Sequence, residues 1–171
     1  MACSNLGSVI FPTVRDVKAI REFFLEAWRQ AGPQALGWAG ATESNIQEIS
    51  SEGFISSLLS KTGTKVLVFS QDGRIVGIAV NRKMDESTVE LAGIIVQREA
   101  TGKGIGTALL KSAIASAKEL GFLSMHVKTE TNNQNAISFY RKNGFTELGT
   151  GEEDVDGKTV KVMNLGLSLT H

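Results

Sequence analysis

Three glycines in five positions, Gly102, Gly104 and Gly106, follow an apolar run containing Ile94, Ile95 and Val96. The β-branched run fits a strand covered on both faces. Ile105, Ala108, Leu109, Ala113 and Leu120 then carry a helical period. A strand that ends in a glycine-rich loop and enters a helix presents free backbone N–H groups and the positive end of a helix dipole, which together make an anion site. Spacing separates the ligands such a site could hold. A P-loop needs Gly-Lys-Ser/Thr at its end, but Gly106 is followed by Thr107 and Ala108. A dinucleotide fingerprint needs G-x-G-x-x-G and an acid closing the next strand, whereas here the glycines run G-x-G-x-G and the strand expected over 122–127 ends in Val127.

The segment Thr101-Gly102-Lys103-Gly104-Ile105-Gly106 resembles the acyl-CoA loop of the GNAT N-acetyltransferase superfamily, [QR]-x-x-G-x-[GA] after an apolar strand. Thr101 stands where that pattern has Gln or Arg. The resemblance implies that the coenzyme A pyrophosphate lies on the amides from Gly102 to Thr107, with Lys103 and Ile105 in the same cradle. It also implies that the pantetheine arm pairs like an extra strand with Ile94, Ile95 and Val96. A second segment, NQNAISFYRKNGF from Asn133 to Phe145, resembles the family's N-x-x-A-x-x-[LF]-Y-x-x-x-G-F. In the family that tyrosine, here Tyr140, protonates the departing thiolate, and that asparagine, here Asn133, contacts the pantetheine arm. Asn132 and Asn135 are alternatives for the latter. With a phenol near pKa 10 and a thiol near 8.5, complete proton transfer is uphill by about 2 kcal/mol, so Tyr140 would act as a hydrogen-bond donor to developing charge.

The acceptor amine must attack as the free base. For an amine near pKa 10.4, deprotonation at neutral pH requires about 4–5 kcal/mol, and a general base matters most there. Glu90 is the first candidate, on the same strand as the cofactor residues and six positions before Val96. Even spacing is expected to put Glu90, Ala92, Ile94 and Val96 on one face. The competing reading pairs Glu90 with Arg82 or Lys83 across a hairpin, and Glu130 and His126 are further base candidates.

Composition excludes other classes. Eighteen basic and eighteen acidic residues cancel, and no Lys/Arg run of nucleic-acid-binding type occurs. No apolar stretch approaches the ~20 residues needed to span a bilayer. The start, MACSNLGSVIFP, has no basic segment leading into an apolar core, so no secretory signal is expected. A single cysteine, Cys3, allows no intrachain disulfide, and with only two histidines no metal is expected. The expectation is a soluble cytoplasmic protein.

Periodicity supplies the elements that must hold these residues. Strand 8–11 is followed by a capping box at Thr13 and Asp16 and a helix through Gln30. Residues 31–41 read as a glycine-rich loop in which Trp38 either faces substrate or anchors the loop. A second helix follows a capping box at Ser44 and Gln47, with a bend expected at Gly53. A meander of strands 65–70, 75–80 and 88–96 leads into the glycine loop and helix. Strand 122–127, helix 136–142, strand 145–149, a turn at Asp156-Gly157 and strand 159–167 complete the order.

This order is also that of the GNAT superfamily. It implies an α/β (α+β) GNAT fold over 1–171 as a single domain, with a mixed, largely antiparallel sheet of about seven strands and about four flanking helices. The resemblance further implies acetyl-CoA as co-substrate, without a metal, and an amine-bearing acceptor, either a small molecule or a protein N-terminus or lysine. Exposed terminal strands in such a fold often pair, which allows a homodimer. The competing function is a non-catalytic acyl-CoA-binding sensor or interaction module, since fold alone does not fix activity.

Overall fold

The computed structural model describes residues 7–31, 43–155 and 157–170. The expectations for Trp38 and its loop fall outside these residues, as does Asp156. The strands are β1 (Ser8–Ile10), β2 (Thr64–Gln71), β3 (Arg74–Lys83), β4 (Thr88–Val96), β5 (Ser124–Glu130), β6 (Thr146–Val155) and β7 (Lys158–Ser168). They form one sheet of seven strands in the order β1-β2-β3-β4-β5-β7-β6. Every neighbouring pair is antiparallel except β4 with β5. The helices are α1 (Val17–Ala31), α2 (Glu43–Ile49), α3 (Glu52–Ser60), α4 (Ile105–Glu119) and α5 (Gln134–Lys142). The expected mixed sheet is therefore present. Among the described residues, no helix is long and apolar enough to cross a membrane.

Local chemistry sets most element ends. Thr13 and Asp16 form the expected reciprocal capping box before α1. Asp72 (φ 51°) and Gly73 (φ 76°) supply the left-handed pair that joins β2 to β3 in a tight hairpin. The second helical segment differs from expectation. It breaks at Ser50-Ser51 rather than bending at Gly53, because the Ser51 side chain accepts from the Phe54 N–H at 3.1 Å and starts α3 as a separate helix. The expected cap at Ser44 rests on a side chain outside the described ones.

The sheet divides two apolar clusters. On one face, Ile105, Leu109, Leu110 and Ala113 of α4 pack with Tyr140 against Leu67, Ala79, Val89, Leu91, Met125, Val127 and Leu165. On the other, Ile20, Phe23, Phe24 and Ala27 of α1 and Ile55 of α3 pack against Val66, Val68, Ile75 and Ile78. The approach of α4 is set by the missing side chain at Gly77. A Cβ there would lie 2.9 Å from Leu109 Cδ1 and 3.1 Å from Ile105 Cγ2. Helix α4 carries the glycine loop at its start, so this contact fixes where the loop sits.

Leu109, which is fully buried, should lose about 2–5 kcal/mol of stability on change to Ala. Adding Gly77→Ala to that variant should recover part of the loss, because the new methyl enters space left by Leu109 Cδ1. Denaturant midpoints of both single variants and the double variant test this. Strict additivity would mean that strand and helix do not share the space.

Candidate active site

The single parallel contact in the sheet is short. β4 and β5 pair only from Thr88 with Ser124 to Leu91 with Val127. β4 nevertheless continues to Val96, held by β3 as far as the Gly77–Val96 pair, and β5 continues to Glu130, held by β7 as far as Val162. Each strand follows its outer neighbour, and a gap opens between them. Ile94, Ile95 and Val96 line the β4 side of it.

The glycine loop lies just past the end of β4. A 3-10 turn at Arg98–Ala100 leads into Gly102 (φ 74°) and Gly104 (φ 79°), left-handed positions that favour glycine. Gly104 is the N-cap of α4, and a Cβ at Gly102 or Gly104 would meet nothing within 4 Å. Thr101 N–H donates to Arg98 O, and Ala108 N–H donates to Gly104 O. Between them the N–H groups from Gly102 to Thr107 have no acceptor among the described residues. An open cradle of unengaged N–H donors at a helix start is chemically able to take an anion such as a diphosphate. The Thr101 hydroxyl donates to Arg98 O at 2.7 Å, which ties that side chain to its own turn. Lys103 is exposed, Ile105 is buried, and Thr107 is half-buried.

Gly106 faces α5, its Cβ position in ordinary contact with the Phe139 ring at 3.8 Å. One residue on, Tyr140 is 6% exposed and sits between Phe139 and Phe145, with ring centroids at 5.2 and 5.4 Å. Burial pushes its phenol up to about 12. Asn133 is the N-cap of α5, its Oδ1 accepting from Ala136 N–H at 3.1 Å. That oxygen is therefore engaged in capping, while Asn132 and Asn135 are exposed.

Glu90 faces the opposite way from the expected one. The β3–β4 register runs from Val80 with Gly93 to Asn81 with Leu91 and skips Ala92, a bulge that reverses the alternation of sides. Val89 and Leu91 before it, and Ile94 and Val96 after it, all face α4, whereas Ile95 joins the α1 cluster. Glu90 thus points to the α1 face, away from Val96. There its Oε2 is 3.0 Å from Arg82 Nη2, with the Glu90 side chain 20% exposed, so the cross-hairpin partner is Arg82. His126 is paired with Glu90 in register and shares that face, opposite Met125 and Val127.

Two groups escaped sequence reasoning. Gln30, at the end of α1, donates from Nε2 to Glu99 Oε1 at 2.7 Å and accepts at Oε1 from Arg98 N–H at 3.3 Å, bracing the turn before the glycine loop. Lys128 of β5 pairs with Glu153 of β6 at 2.7 Å. Both contacts join residues far apart in the chain, and no local pattern marks them.

The chain has one tyrosine, so phenolate absorbance reports Tyr140 alone. Its midpoint should be near 12 in the folded protein and near 10 in denaturant. The folded state keeps this proton to higher pH than the unfolded one. The resulting stability is therefore whole below about pH 10 and is lost as pH rises through about 12, by about 3 kcal/mol in total. Unfolding curves of Tyr140→Phe should fall less steeply across that window, and a folded-state midpoint near 10 would contradict the burial argument.

Comparison with known proteins bears on the family and the fold. The family model described as acetyltransferase (GNAT) family matches residues 17–145. An uncharacterized N-acetyltransferase of Mycobacterium tuberculosis H37Rv is 35% identical over 85 residues, 50% of this chain and 54% of that protein. The chain thus spans about half the length of the curated relatives it matches. Among solved structures, the PaiA N-acetyltransferase of Thermoplasma acidophilum in complex with coenzyme A superposes with TM-score 0.71 at 24% identity, over 92% of this chain and 97% of that one. A ribosomal-protein-alanine N-acetyltransferase of Brucella melitensis gives TM-score 0.74 at 22% identity, over 94% and 98%. The family match runs from the first helix through the glycine loop to the residue after Gly144, and the chain belongs to the acetyltransferase (GNAT) family.

Proposed function

We propose that this chain is an acetyl-CoA-dependent N-acetyltransferase that moves the acetyl group to a primary amine of a small molecule or protein by direct attack on the thioester. The observation that carries this reading is the parting of β4 and β5 after Leu91 and Val127, which opens beside the glycine loop. Tyr140 is packed on one face of the sheet and Glu90 on the other.

In this reading the amides from Gly102 to Thr107 hold the pyrophosphate. The free edge of β4 at Ile94, Ile95 and Val96 pairs with the extended arm, which lies in the gap and presents its thioester at the parting point. Backbone N–H groups of that edge support the oxyanion. Glu90 takes one proton of the acceptor ammonium and passes it to solvent, the freed lone pair forms the C–N bond, and the nitrogen then gives its second proton to the same carboxylate as the tetrahedral intermediate collapses. The carbon–sulfur bond breaks, and the departing thiolate is stabilised by Tyr140. With the phenol near 12 and a thiol near 8.5, outright transfer from Tyr140 is uphill by about 5 kcal/mol. Its contribution is therefore a hydrogen bond to developing charge, and the thiolate draws its proton finally from solvent. The ion pair with Arg82 orients Glu90, and a pair this exposed contributes only about 0–1 kcal/mol, so an incoming ammonium can share the carboxylate.

Acetyl-CoA consumption with a panel of amines, followed by free thiol release, should give turnover. Thioester binding without thiol release would instead mark a non-catalytic acyl-CoA module. Tyr140→Phe and Glu90→Gln should each slow single-turnover transfer by about 10²-fold with coenzyme A affinity nearly unchanged. Parent-like rates in both would remove the two roles. Gly104→Val should abolish coenzyme A binding, with Gly121→Val as its control: Gly121 has a similar φ of 85° and equally open surroundings. The two substitutions impose like backbone strain, so equal effects on binding would point to strain rather than to the cradle.

A further inference from the structure

On the α1 face of the sheet, Arg82, Glu90, Leu91, Ala92, Lys128 and Glu153 line a cavity of about 190 Å³. Leu91 and Ala92 are the residues at which β4 leaves β5, so this cavity sits over the parting point. It holds two ion pairs, Arg82 with Glu90 at 3.0 Å and Lys128 with Glu153 at 2.7 Å. We propose that this cavity is the acceptor pocket and that it selects a small amine carrying its own acid group, an amino-acid-like zwitterion, with Arg82 holding the acid and Glu90 the ammonium.

This assignment rests on the acetyl-transfer reading and adds the class of acceptor. Charge balance is the first argument. Two cations and two anions line the walls, so a ligand of zero net charge enters without leaving an excess of either sign. A polyamine would bring positive charge to walls already neutral. A dicarboxylate without an amine would do the reverse.

Geometry is the second. The Arg82–Glu90 pair is a dipole, and a zwitterion can lie antiparallel to it, its ammonium on the Glu90 carboxylate and its carboxylate on the Arg82 guanidinium. Arg82 presents a planar fork of N–H donors suited to a second carboxylate, and it meets Glu90 through Nη2. Glu90 stands on the strand that borders the gap, and Arg82 lies one strand further out. The ammonium is thereby placed at the parting point and the acid group away from it. Size is the third argument. The cavity is smaller than the ~300 Å³ at which drug-sized sites begin, which suits a molecule of amino-acid dimensions.

The test compares matched acceptors: alanine with ethylamine, phenylalanine with phenethylamine, and spermidine as a polyamine. Binding is measured by calorimetry with coenzyme A present, and transfer by thiol release. The amino acids should exceed their decarboxylated partners in affinity and in kcat/KM by about 10- to 100-fold, the effect of hydrogen bonds to a charged group. Arg82→Met should erase that preference, and Arg82→Lys should restore part of it. Lys128→Met should lower it less. Equal or better use of ethylamine, phenethylamine or spermidine overturns the proposal, as does a preference that survives Arg82→Met. If amino acids bind with the stated preference and no acceptor releases thiol, acetyl transfer falls and the pocket stands. If no carboxylate-bearing amine binds, the pocket falls whatever the transfer assay gives.

Discussion

Backbone pairing is withdrawn at one seam of this sheet, and the rest of the structure is arranged to permit it. A strand edge inside a protein is costly when its N–H and C=O groups find no partner. Among the described residues, Ala92 to Val96 of β4 and Lys128 and Thr129 of β5 have no neighbouring strand on the side of the gap. An extended ligand can fill such an edge by supplying main-chain-like donors and acceptors. The opening is stable because each strand is fastened on its far side, β4 to β3 and β5 to β7. The tight seat of α4 on Gly77 then brings the glycine loop to the mouth of the opening.

A one-residue irregularity decides which groups meet on which side. Without the bulge at Ala92, Glu90 would lie under α4 with Val96, in the apolar layer that holds Tyr140. With it, Glu90 reaches Arg82 on the other face. The carboxylate is thereby removed from the layer that desolvates the phenol, and Tyr140 is perturbed by burial alone. The acid and the base of the proposed reaction approach the seam from opposite sides.

Much of this was legible in the sequence because it is local. The strand-loop-helix at Gly102 to Gly106, the capping box at Thr13, the hairpin at Asp72-Gly73 and the helix bearing Tyr140 are all written in runs of a few residues. What could not be read was longer in range or depended on counting. The side of Glu90 follows from a strict alternation of two unless a bulge intervenes, and the Ala92-Gly93 pair carries no unambiguous sign of one. Either Arg82 or Lys83 could have reached Glu90, and only the register chooses Arg82. The second helix was expected to bend at Gly53, yet Ser51 ends the matter by capping, a preference that outweighs the tolerance of a glycine inside a helix. Gln30 and Lys128 act through contacts between distant segments, for which composition and periodicity hold no signal.

The apolar layers on the two sides of the sheet also have an evolutionary meaning. Glycine loop, α4 and the phenol belong to one layer, while Arg82 and Glu90 emerge on the other. The sheet acts as a partition. Substitutions among the charged walls of the proposed acceptor side would leave the packing under α4 undisturbed, so on this plan the choice of acceptor can change without altering the layer that carries the glycine loop.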